Sequence, residues 1–167
     1  MKIGILTMPP RINYGGILQA YALQTILKRM GHEVYVIHLK RDEIPNFSWR
    51  KKILCYTKRF LFRYIFKKKT FPIFHEERER KALPIIRQHT DRFISQYINI
   101  YSINSFDELG INKTFDAYVV GSDQVWRPLY SLWDIEDSFL RFDKRQDTIR
   151  IAYAASFGVD TWEFTPE

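Results

Sequence analysis

The chain has 167 residues, 46% hydrophobic and 16% aromatic, enough to bury one core, and it carries a formal net charge of +7. Its one cysteine, Cys55, excludes an internal disulfide and every C-x-x-C metal or redox pattern, so a reducing cytoplasm is the expected setting. No apolar run approaches the roughly 20 residues of a membrane span, and the run after Met1-Lys2 is too short for a signal-peptide core, which predicts a soluble or at most peripheral protein.

The first predicted element is a strand near residues 2–7, where Ile3, Ile5 and Leu6 form a short apolar run that Pro9-Pro10 closes. The next stretch, NYGGILQAYALQ, opens a helix: Ile17, Leu18, Tyr21, Leu27 and Met30 recur at helical spacing, Ala20, Leu23 and Ile26 fill the stripe, and Gly31 stands where a C-cap needs positive φ. EVYVIHL then resumes a strand near 33–38. This is β–α–β with a glycine-bearing loop, Asn13 to Gly16, at the first strand-to-helix junction. Such a loop offers backbone N–H groups and a helix dipole to a phosphate or carboxylate. The spacing matches neither G-x-G-x-x-G nor a P-loop. A purely structural reading also stands: Gly15 and Gly16 permit the turn and a close helix–sheet approach, Tyr14 packs, and Asn13 caps the helix.

The basicity is local. Residues 46–74 hold nine basic side chains (Arg50, Lys51, Lys52, Lys58, Arg59, Arg63, Lys67, Lys68, Lys69) and no acidic one, leaving 17 basic against 19 acidic residues elsewhere, a net of −2. Ile53, Tyr56, Phe60, Leu61, Tyr64 and Ile65 fall near one helical face among those charges. A basic amphipathic helix of this kind suits an anionic membrane surface or an acidic ligand; the alternative is a helix that packs its apolar face on the domain and solvates its lysines. No RNP, KH, zinc-finger or helix-turn-helix pattern accompanies the charge, so nucleic acid is not an expected partner. HEERERKALPIIRQHTDRFISQYI follows as helical scaffold, with Pro84 predicting a break or kink near Leu83. His32, His38, His75 and His89 lack metal-ligand spacing, and no metal or Ser/His/Asp arrangement is read.

Two later strands are predicted near 116–120 (FDAYVV) and 150–155 (RIAYAAS), running into GSDQVWRP and FG. Singly, Asp123 reads as a cap, Ser122 as a turn residue and Trp126 as a core aromatic. Three strand ends with small, polar or glycine-bearing loops at the carboxyl edge of one parallel sheet read together as a ligand site.

These three stretches, NYGGILQAYALQ, FDAYVVGSDQVW and IAYAASFG, resemble in family order the N-terminal half of the polysaccharide pyruvyl transferase family. The resemblance implies an α/β fold, a Rossmann-like parallel sheet flanked by helices, forming the N-terminal lobe of a two-lobe glycosyltransferase type-B-like protein. It implies transfer of a pyruvyl group from phosphoenolpyruvate to a saccharide hydroxyl as a ketal, with no cofactor, for cell-envelope polysaccharide, with a lipid-linked acceptor among the options. On this reading residues 1–167 are a single lobe with a helical basic insertion at about 44–100. The second lobe, where the resemblance places catalytic His and Arg residues, is absent, and the fragment alone is expected to be inactive. Thr165, Pro166 and Glu167 read as a helix start, which suggests truncation. Substrate-binding candidates are Asn13, Tyr14, Gly15, Gly16, Gln19, Gly121, Ser122, Asp123, Gln124, Trp126, Ser156, Phe157 and Gly158, with Asp123 the one weak candidate for general acid. A nucleotide-sugar glycosyltransferase lobe and a non-catalytic docking or assembly module stay open as alternatives.

Overall fold

The computed structural model describes residues 1–9, 13–40, 48–65, 74–131 and 133–164. Five strands, β1 Lys2–Leu6, β2 Glu33–Leu39, β3 Ile100–Ile103, β4 Ala117–Asp123 and β5 Ile149–Ala155, make one sheet in the order β3-β2-β1-β4-β5 with every pairing parallel. Chain order and sheet order diverge between β1 and β4, so the strands on either side of that point feed their carboxyl-end loops in opposite directions and leave a crevice. The α/β Rossmann-like fold expected from the sequence is the fold observed.

Two compact units divide the chain: Met1–Lys40 with His89–Glu167, and Arg41–Gln88. In the first, the sheet has apolar layers on both faces. Ile3, Ile5, Val34, Val36, Ala117 and Val119 pack with Ile17 and Ala20 of helix α1 (Tyr14–Arg29). Leu6, Ile37, Tyr118 and Val120 point the other way, into Phe106, Leu109, Phe115, Trp133 and Leu140. Successive strand residues thus serve opposite layers, as a parallel sheet covered on both faces requires.

The α1 stripe is broader than its contact with the sheet. Ile17 and Ala20 are buried, but Leu18, Ile26 and Met30 of the predicted stripe are more than half exposed, because the helix contacts the sheet mainly at β2 and β4 and leaves its other flank open beside β5. Gln24, 1% exposed, is the polar member that the sheet side does bury. Its Nε2 donates to the Tyr97 carbonyl (2.9 Å) and its Oε1 accepts from the Asn99 N–H (2.7 Å), so it satisfies the backbone where the chain enters β3. Gln24→Leu keeps the volume and strands both backbone groups. A loss of about 1–3 kcal/mol is expected, read as a lowered urea midpoint at unchanged slope.

β3 is a strand that the sequence reading did not include. It follows helix α3 (His75–Tyr97) after Ile98 and Asn99 and is only four residues long, too short for its alternation to stand out from the sequence. Pro84 does not break α3, which runs through it for 23 residues. The carbonyl that loses its donor belongs to Arg80, on an exposed turn within reach of solvent. Short helices α4 (Asp107–Ile111) and α5 (Ile135–Ser138) complete the described elements of this unit.

In the second unit, α2 (Trp49–Tyr64) meets the first turns of α3 through a bidentate pair, Arg59 Nη1 and Nη2 to the Glu76 carboxylate at 2.7 and 2.6 Å, and through the Tyr56–Phe74 ring contact. The apolar side chains Ile53, Leu54, Phe60, Leu61 and Tyr64 are 43–71% exposed. Hydrogen bonding to Arg59 holds the Glu76 carboxyl down at about 2, well below the ordinary range of a glutamate. A depressed acid contributes stability that is present above its unfolded value and is lost as pH falls through its folded one. Acid titration between about pH 4.5 and 2 should therefore melt the α2–α3 pair, seen as loss of far-UV helicity, and Glu76→Gln should flatten that window.

Candidate functional site

Because every strand is parallel, the residues that follow β1, β4 and β5 lie at one edge of the sheet, and β1 and β4 flank the point where strand order reverses. The three motifs meet there. Their backbone differs from the expected loops in two places. Tyr14, Gly15 and Gly16 are the first turn of α1, not a loop, because Asn13 caps it: its Oδ1 accepts from the N–H groups of Gly15 (3.0 Å) and Gly16 (3.4 Å). Gly121, Ser122 and Asp123 are the last residues of β4, because β5 pairs that far, Gly121 opposite Tyr153 and Asp123 opposite Ala155, and the Ser156 N–H closes on the Asp123 carbonyl at 2.9 Å.

The glycines fall into two classes. At Gly121, φ is +119° and an added Cβ would stand 2.1 Å from the Tyr153 carbonyl oxygen; at Gly158, φ is +70° and the Cβ would stand 2.2 Å from the Gln124 side chain. Backbone geometry demands glycine at both. Gly15 and Gly16 have ordinary helical backbone, and a Cβ at Gly16 would find nothing nearer than Asn13 Nδ2 at 3.8 Å. Neither a turn nor close helix–sheet packing explains these two. They bare the amino end of α1, whose first turn carries no acidic residue and whose Tyr14 is 67% exposed.

The remaining candidates are held by named contacts. Asp123 has φ +82°, a left-handed backbone that Asp tolerates better than most residues, and its Oδ1 accepts from the Gln124 N–H at 2.8 Å. Gln124 Oε1 in turn accepts from Arg127 Nη1 at 3.2 Å. Trp126 is half-buried, stacks on Phe139 with ring centroids 5.5 Å apart, and donates its indole N–H to the Ser138 carbonyl at 3.2 Å. Ser156 and Phe157 follow β5, with the Phe157 ring tilted against Trp126 at 5.6 Å. Gln19 and Ser122 share a cavity of about 530 Å³ along the open flank of α1, otherwise lined mainly by Leu23, Ile26, Met30, Ile151 and Tyr153.

Arg127 is the edge residue that the sequence reading passed over. Its guanidinium forks onto Glu163 (Nη2 to Oε1 2.9 Å, Nε to Oε2 3.1 Å) and lies 4.2 Å from the Tyr130 ring centroid. The hydrogen bonds to Glu163 raise the Arg127 pKa above its ordinary value, so the group is cationic throughout the working range. It sits in the quoted GSDQVWRP, and a cation directly after a strand-end motif was the available signal. Among the described residues no three His, Cys, Asp or Glu side chains come together as a metal site.

The family model for polysaccharide pyruvyl transferase matches residues 13–165, from the Asn13 cap through all three motifs. The chain belongs to the polysaccharide pyruvyl transferase family. No curated protein and no solved structure matches it significantly. Membership makes this a transferase-family chain of polysaccharide biosynthesis. No helix among the described residues is long and apolar enough to cross a membrane.

Proposed function

We propose that the chain is the donor-binding lobe of an enzyme that moves the pyruvyl group of phosphoenolpyruvate onto a saccharide as a ketal. In that reaction a proton adds to the methylene carbon of the donor, the first sugar hydroxyl bonds to the cationic carbon this creates, and a second hydroxyl displaces phosphate. The methylene becomes a methyl group, and the two hydroxyl protons balance the one taken up and the one that leaves with phosphate. The donor brings a phosphate and a carboxylate, so it needs clustered N–H groups and a cation. The observation that supports the reading is the meeting of the three family motifs at the carboxyl edge, beside the strand-order reversal, with the amino end of α1 open.

In this assignment Asn13, Tyr14, Gly15, Gly16 and Gln19 form the α1 side of the site, and Gly121, Ser122, Gln124, Trp126, Ser156, Phe157 and Gly158 its β4–β5 side. Asp123, whose carboxylate accepts a backbone N–H, serves as a positioning residue; proton donation is assigned to a second lobe. The setting is the cytoplasm, and the exposed apolar and basic face of α2 gives a peripheral contact with an anionic membrane where a lipid-linked acceptor would be presented.

The test is calorimetric titration of the full chain with phosphoenolpyruvate and, in parallel, with a nucleotide sugar. Gly16→Val has room for its side chain at the backbone and should shift stability by no more than about 1 kcal/mol while weakening phosphoenolpyruvate binding at least about tenfold. Preferential binding of the nucleotide sugar would replace this reading with the glycosyltransferase one. Equal loss of folding and binding in Gly16→Val would return the glycines to a structural role.

A further inference from the structure

Beyond the motif residues, the same edge carries a second concave feature. After β5 the chain turns back so that Phe157, Trp162 and Phe164 line a cavity of about 180 Å³ together with Pro128, Asp160 and Thr161. The rings touch one another: Trp162 to Phe164 at 4.9 Å, Phe157 to Phe164 at 5.7 Å and Phe157 to Trp162 at 6.3 Å between centroids. Arg127, paired with Glu163, locks the returning segment to the strand-end motif. Trp162 is nevertheless 77% exposed.

Resting on the reading above, we propose that this aromatic cavity is the acceptor subsite, in which Trp162 stacks on the C–H face of a sugar ring while Asp160 and Thr161 take its hydroxyls. Three observations select a saccharide over other occupants. The volume is that of about six water molecules, the scale of one ring and too small for a helix or a lipid chain. Its lining joins a bare indole face to a carboxylate and a hydroxyl that make no hydrogen bond among the described residues, which matches a molecule with apolar faces and polar edges. Phe157 belongs to the Y-A-A-S-F-G motif and contacts Trp126 of the preceding one, so the subsite is continuous with the site that the motifs build.

Saturation-transfer NMR on the full chain, with methyl glycosides of glucose, galactose, mannose and N-acetylglucosamine as probes, tests the subsite without requiring turnover. At least one glycoside should receive saturation through its axial C–H protons, Trp162→Ala should weaken that binding about tenfold, and Trp162→Phe should restore most of it. Since Trp162 is largely exposed, the alanine variant should keep the wild-type circular dichroism; Asp160→Asn, which leaves the rings alone and lowers binding by removing an acceptor, serves as an independent variant. Binding by no glycoside, or binding unchanged in both Trp162→Ala and Asp160→Asn, would overturn the proposal. Phosphoenolpyruvate titration of the same samples separates the two readings. Glycoside binding through Trp162 in a chain that ignores phosphoenolpyruvate leaves the subsite standing and removes the donor assignment, and the reverse pattern does the opposite.

Discussion

Gly121→Ala is expected to lower stability by more than about 3 kcal/mol, while Gly16→Ala is expected to be neutral or stabilising by about 0.5–1 kcal/mol. The contrast follows from what each missing side chain would meet. A Cβ on Gly121 would lie 2.1 Å from the Tyr153 carbonyl, which belongs to the strand paired with it, on a backbone with φ +119°. Relief requires breaking the β4–β5 ladder at its carboxyl end, where Asp123 and Ser156 are joined. Strain at a sparsely populated backbone region contributes about 1–3 kcal/mol, and the displaced ladder adds to it. Gly16 is in the first turn of a helix with open space around it, and alanine there removes backbone freedom from the unfolded chain at no steric cost. Urea denaturation of the two variants beside wild type measures both effects. A Gly121→Ala stability within about 1 kcal/mol of wild type would show that the edge repacks freely and that the strand ends are not rigidly built.

The same contrast explains how much of the site could be read beforehand. Four strands fall where the apolar runs placed them, and Gly31 has the positive φ its position predicted, because period and turn chemistry are local properties of the chain. The common edge of the motifs was legible for a related reason: parallel strands joined by crossovers must send their ends the same way. Which glycines are required by backbone and which are not was illegible, since it depends on a carbonyl of Tyr153 more than 30 residues from Gly121. β3 was missed because a four-residue edge strand directly after a long amphipathic helix adds too few alternations to outweigh the helical period. Gln24 has no place in the apolar stripe of α1 and is among the most buried residues of the helix, because it answers two backbone groups contributed by a distant turn. Arg127 and Trp162 belong to the same class, their partners being visible only once the segment after β5 has folded back.

The basic helix gives the second large effect. Of the nine cations, Arg59 is engaged by Glu76, while the Arg63 side chain and Lys67, Lys68 and Lys69 lie outside the described set. Arg50, Lys51, Lys52 and Lys58 remain on α2, beside Trp49, Ile53, Leu54, Phe60 and Leu61, all at least 43% exposed. The facing turns of α3 bring Glu76, Glu77 and Glu79 and, with them, Arg78, Arg80 and Lys81, so they do not cancel the field. Each cation near an anionic leaflet contributes about 1 kcal/mol, so four engaged together give about a thousandfold preference for anionic over neutral vesicles. Sedimentation of the full chain with phosphatidylserine-containing vesicles should show this at about 0.01 M salt, where the Debye length is about 30 Å, and should show it collapse at about 0.15 M, where it is about 8 Å. Replacing Lys51, Lys52 and Lys58 together by Glu should abolish the preference. Arg59→Gln should leave it nearly intact and instead loosen the α2–α3 pair, because its charge is already spent inside the protein. Equal binding to neutral vesicles would assign the attachment to Trp49 and the apolar face alone. Binding to neither at low salt would make α2 a solvated cover, leaving the acceptor to reach the aromatic cavity from solution.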